Sequence, residues 1–134
     1  MSTTSRTSPY IMSLPFGTVF LGQEVIAQQE VTEYLGHDAT LPCPCPLGKD
    51  NNVTQLQWLF RHAEGQNQTS IIISNPPNSL HIAETFLKER VKISQQSLII
   101  REVENGDAGI YTCKIASFPG GSFEGTIKLV VQGE

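Results

Sequence analysis

Three thiols and three imidazoles are the side chains of this sequence best equipped to make or break bonds: Cys43, Cys45 and Cys113, and His37, His62 and His81. Zinc on Cys43, Cys45 and His37 would need a fourth ligand at workable spacing, and none is present; disulfide formation would also consume at least one thiol. Nucleophilic catalysis needs a Ser or Cys beside a His that a third group orients. The three histidines fall in separate segments, and no Ser or Cys has a fixed His–Asp neighbour. The chemistry left is oxidation of thiols, which points to an oxidising compartment. An odd cysteine in such a chain forms an intermolecular bridge, stays a reactive thiol, or is buried and inert. No catalytic residue, metal or cofactor is expected.

The chain has 134 residues, is 39% hydrophobic and 16% charged, and carries a formal charge of −4. That length suits one ordinary domain, large enough to bury a core. The charge content is below the usual level of about 25%, and the acidic balance lacks the basic footprint of a nucleic-acid binder. Recurrent apolar runs exclude a disordered chain. Residues 1–22 contain Arg6, an apolar run from Ile11 to Leu21 broken by Pro15 and Gly17, and a small residue at Gly22. This falls short of a membrane span and loosely follows a secretory signal, so residues 1–22 read as a signal-like or disordered leader and residues 23–134 as one domain. No second apolar span follows Val131. The expected location is extracellular, either secreted or at the cell surface through an anchor outside this sequence.

Positioning falls to short strands. Ala39-x-Leu41-x-Cys43, Leu56-x-Trp58-x-Phe60, Val91-x-Ile93, Leu98-x-Ile100, Ile110-x-Thr112 and Ile127-x-Leu129-x-Val131 alternate with period two. Such alternation places every second side chain on one sheet face. Turn signals separate the runs at Gly36–Asp38, Pro46–Asn52, Glu64–Asn67, Asn75–Asn78, Asn105–Asp107 and Pro119–Gly121. Short strands with turns at this spacing predict an all-β antiparallel sandwich or barrel. Residues 82–89 could form a turn or two of helix and more naturally lead into a strand.

Cys43, Trp58 and Cys113 occur in the Cys…Trp…Cys order of an immunoglobulin sandwich, and Asp107-Ala-Gly-Ile-Tyr111-Thr-Cys113 places a tyrosine two residues before the last cysteine. These residues resemble the V-type immunoglobulin domain, whose D-x-G-x-Y-x-C signature is matched in full. The resemblance implies a Greek-key sandwich of two antiparallel sheets, a tyrosine corner at Tyr111, a core Trp58, and a salt bridge from Arg90 to Asp107. It also implies an inter-sheet disulfide to Cys113. Strand parity leaves Cys43 and Cys45 both open as the partner. The family's L-x-C strand ending favours Cys43, and Pro44 and Pro46 disfavour a strand reaching Cys45.

In a sandwich, function is argued from the surface. Ser117-Phe-Pro-Gly-Gly-Ser-Phe123 places two large aromatics at a turn, where an exposed ring is unfavourable unless a partner covers it; the alternative is that Phe118 folds back on its own domain. Cys113-Lys-Ile-Ala-Ser-Phe-Pro-Gly-Gly resembles the corresponding segment of the nectin and poliovirus-receptor family, including its lymphocyte receptors, with Ser117 in place of the family's Thr. Val53-Thr54-Gln55 resembles a second motif of that family. A third, an Ala and a Gly that form a pocket for the partner's aromatic, aligns with Ile72 and Ser79, so both small residues are replaced. The resemblance implies a partner-binding set of Val53, Thr54, Gln55, Ile72, Ser79, Ser117, Phe118, Pro119 and Gly120. The implied partner is another nectin/poliovirus-receptor-like immunoglobulin domain on an opposing cell, in adhesion or immune-receptor signalling. Ile72 narrows the pocket, which favours heterophilic over homophilic pairing. No nucleic acid and no small-molecule substrate is expected. The competing reading is a V-type domain of another class, antigen-receptor-like or B7-like, binding through different loops. Asn52-Val-Thr54 and Asn67-Gln-Thr69 are glycosylation sequons, and a glycan on Asn52 would hinder docking at the neighbouring motif.

Overall fold

A computed structural model describes residues 29–44, 52–77 and 79–133. The leader 1–22, Cys45 and most of the 46–52 turn lie outside the described residues. Nine strands form among the described residues, in chain order β1 (Gln29–Tyr34), β2 (Ala39–Leu41), β3 (Asn52–Arg61), β4 (Thr69–Asn75), β5 (Ser79–Ile82), β6 (Val91–Ser94), β7 (Ser97–Ile100), β8 (Gly109–Phe118) and β9 (Gly121–Gln132). They make a six-stranded front sheet ordered β1-β9-β8-β3-β4-β5 and a three-stranded back sheet ordered β2-β7-β6. The all-β sandwich expected from the alternation is therefore the fold. One pair departs from antiparallel order: β1 runs parallel to β9, from Gln29 opposite Ile127 to Tyr34 opposite Gln132. This pairing covers an edge of β9 that would otherwise expose a row of unpaired backbone groups. Residues 82–89 form no α-helix; bends and turns lead into a short 3₁₀ turn at Lys88–Arg90 and then β6.

The core lies between the sheets. Trp58, Tyr111, Leu41, Ile71, Leu98, Ile100, Ile127 and Leu129 are all essentially buried. Cys43, just past β2, is bonded to Cys113 in the middle of β8, with the Cα atoms 5.6 Å apart. Trp58 is the cross-strand partner of Cys113, so the indole packs beside the bridge. Its Nε1–H has no hydrogen-bond partner among the described residues. Leaving a buried donor unmet costs about 1–3 kcal/mol, whereas burying 150–250 Å² of aromatic surface contributes roughly 4–6 kcal/mol. Ring area wins at this position.

At the end where β8 begins, Asp107 is completely buried and fully engaged. Its carboxylate accepts from Arg90 Nη1 at 2.7 Å and Nη2 at 2.9 Å, and from the Glu104 backbone N–H at 2.8 Å. The Tyr111 hydroxyl donates to the Asp107 carbonyl at 2.6 Å. Hydrogen bonding to Asp107 holds the Arg90 guanidinium above its usual range, and burial pushes the Tyr111 phenol well above its own. The glycine of the same motif has a steric cause. A Cβ on Gly109 would meet the Arg61 carbonyl oxygen and a ring carbon of Phe60 at 2.7 Å, closer than any side chain can stand.

Candidate functional site

β3 and β8 lie side by side in antiparallel register, with Asn52 opposite Phe118 and Arg61 opposite Ile110. The Phe118 tip is thus at one end of the front sheet. The Arg90–Asp107 cluster, the β3–β4 connection and the last residues of β9 are at the other. Phe118 is 70% exposed, the most exposed of the large apolar side chains described, so it does not fold back. Pro119 and Gly120 are exposed beside it, and the Ser117 hydroxyl donates to the Gly121 carbonyl across the turn at 3.1 Å. Phe123, two residues past the turn, is only half-buried and sits opposite Ile115.

Val53, Thr54 and Gln55 have three distinct jobs. Val53 packs against the core. The β3–β8 register shifts between Val53 and Gln55, which makes Thr54 the extra residue of a bulge. Its hydroxyl donates to the Ala116 carbonyl at 3.1 Å, fixing the strand end that carries Phe118. Gln55 reaches across the sheet, its Nε2 donating to Asn75 Oδ1 at 3.0 Å.

Ile72 and Ser79, the two residues aligned with the family's pocket, differ sharply in burial. Ile72 has no exposed surface and belongs to the core cluster, so its side chain is not on the front face. Ser79 is exposed at the start of edge strand β5. Three consecutive isoleucines at 71–73 carry no alternation, and a register shift between Trp58 and Leu59 turns both Ile71 and Ile72 inward. Ile73 is the one left half-exposed. An open depression of about 300 Å³ lies elsewhere, between β3, β8 and β9, lined by the polar Gln55, Gln57, Lys114 and Glu124 and also by the apolar Ile115 and Phe123. Lys114 stands directly opposite Glu124. Sequence reading missed this feature because its residues come from three separated segments, each ordinary in itself.

Both sequon asparagines are exposed. Asn52 is at the Phe118 end, and Asn67 is in the β3–β4 connection at the opposite end. No described helix is long and apolar enough to cross a membrane.

With this geometry, residues 26–132 match the immunoglobulin V-set domain family. The chain belongs to the immunoglobulin V-set family, whose members are non-enzymatic and typically serve as cell-surface recognition domains. It is 28% identical over 111 residues to Nectin-4 of Xenopus tropicalis, which covers 80% of this chain and 21% of that protein. It is 31% identical over 101 residues to V-set and immunoglobulin domain-containing protein 1 of Xenopus laevis, covering 72% of this chain and 31% of that protein. The chain therefore spans less than a third of either relative. Among solved structures, murine CRIg superposes with a TM-score of 0.65 at 24% identity, over 78% of this chain and 92% of its own.

Proposed function

We propose that this domain is an extracellular recognition module that binds another immunoglobulin-like V domain, of the nectin and poliovirus-receptor kind, through the Phe118 end of its front sheet. The observation that carries this reading is Phe118 itself, 70% exposed at a hairpin tip whose neighbouring backbone is fixed by Thr54 and Ser117. A rigidly presented aromatic is a natural interface anchor, because it delivers large apolar area with few torsions to freeze. The tip also lies at the end of β9 opposite Gln132, the end from which the chain leaves the sheet.

Support for heterophilic pairing comes from the polar groups in the nearby depression. A copy of Phe118 entering it would remove Gln55, Gln57 and the Lys114–Glu124 pair from water, and each polar group left without a partner costs free energy. A partner offering its own apolar pocket has no such penalty. The test displays the chain as a multimer, so that avidity reveals weak pairing, and stains cells that each express one nectin-like V domain. Staining of at least one line, lost with Phe118→Ala and kept with Ser79→Ala, is the expected result. Staining that survives Phe118→Ala would instead place binding on other loops, as in a V domain of another class.

A further inference from the structure

At the end of the sandwich far from Phe118, three aromatic rings form a cluster that the recognition face does not use. Phe86 is 52% exposed. It stacks on His62 with 6.2 Å between centroids and 15° between planes. Both rings meet Phe60 edge-on, at 5.3 Å for Phe86 and 4.6 Å for His62. Beside them is a pocket of about 260 Å³ whose lining includes Phe60, His62, Ile71, Thr85 and Phe86. The same wall carries Asn67 and Thr69, the first and last residues of the Asn67-Gln-Thr69 sequon. Asn67 is exposed in the connection between β3 and β4, where a transferase can reach it. A glycan acceptor and an apolar pocket thus share one rim.

We propose that an N-linked glycan on Asn67 is the cover of this pocket, with its first N-acetylglucosamine lying on the Phe86–His62 stack. In the transfer, Asn67 Nδ2 bonds to C1 of a lipid-pyrophosphate-linked oligosaccharide. The C1–O bond to the pyrophosphate breaks, the lipid pyrophosphate leaves, and the amide gives up one proton. A pyranose ring presents a face of C–H groups, which gains dispersion contact against aromatic carbon and takes apolar ring surface out of water. Because the sugar is tethered at the rim, most of the entropy of bringing it there is lost once, on attachment. The glycan would then act as part of the fold and leave the Phe118 end clear.

The experiment expresses the full chain in mammalian secretory cells with Asn52→Gln, so that Asn67 is the one remaining sequon. Intact mass reports occupancy, and Tm is measured for this protein, for added Asn67→Gln, for added Phe86→Ala, and for both. Expected are a glycan on Asn67, a fall in Tm of several degrees on Asn67→Gln, and no such fall when Phe86 is already Ala. Should Phe86→Ala fail to fold, isotope-labelled glycan supplies the second readout, with nuclear Overhauser contacts expected from the first N-acetylglucosamine to the Phe86 and His62 rings. An unmodified Asn67, an equal fall in Tm with and without Phe86, or a glycan with no ring contacts would each overturn the proposal.

Discussion

Asn52 and Phe118 are cross-strand partners, the last residue pair of the β3–β8 ladder. Directly opposite residues project to the same side of a sheet, so the acceptor of one sequon stands beside the aromatic tip.

A glycan on Asn52 therefore obstructs docking through Phe118. Chain secreted from mammalian cells, with occupancy of Asn52 established by mass, binds its partner more weakly than the same chain carrying Asn52→Gln. The expected difference is roughly tenfold, or about 1.4 kcal/mol. Equal affinities would place the interface away from this end of the sheet.

The polar groups Gln55, Gln57, Lys114 and Glu124 in the front-face depression, which would lose water if a copy of Phe118 entered, predict a monomer. Sedimentation velocity over a concentration series, with and without reductant, is expected to give one species of the monomer's mass. A dimer abolished by Phe118→Ala would mean that the domain pairs with itself through the same tip. A dimer abolished only by reductant would assign the contact to Cys45.

Arg90 and the buried Asp107 form a part-buried charge pair, and removing the arginine strands the carboxylate. Arg90→Met leaves the Asp107 carboxylate with a single backbone donor from Glu104. A loss of about 3–5 kcal/mol is expected in urea unfolding, a large share of what a domain of this size has in total.

Burial, reinforced by the Asp107 carboxylate, raises the Tyr111 phenol far above its ordinary value of 10. The folded protein keeps the phenol proton where the unfolded chain releases it. This contribution is fully present below about pH 10 and declines as pH rises beyond it, by at most about 1.4 kcal/mol per pH unit. The urea midpoint should therefore fall above pH 10, with a shallower slope in Tyr111→Phe.

The frame of the domain was legible in the sequence because its key contacts are specified by residue type at fixed offsets. Asp107, Gly109, Tyr111 and Cys113 lie within seven residues, and each answers a local demand: a guanidinium, a close approach by Arg61, a corner carbonyl and a bridge. Alternation was equally informative where it was clean, as at Leu56, Trp58 and Phe60. It is absent at Ile71–Ile73, where three like residues and a bulge hide which side chain faces out, and Ile72, placed by alignment with the family's pocket, is core. The Phe60–His62–Phe86 cluster was illegible for a different reason. Its rings meet only when the bends before β6 fold back on the end of β3, and nothing in the separate segments signals that approach.

The most direct test of the account is the affinity of monomeric chain for a captured V-domain partner, measured for the parent and for Phe118→Ala. Truncating an interface anchor costs about 2 kcal/mol or more, so Kd should rise roughly thirtyfold or beyond. Unfolding stability should stay within about 0.5 kcal/mol of the parent, as for an exposed residue outside the core. An unchanged Kd for a folded Phe118→Ala protein would contradict recognition through this tip.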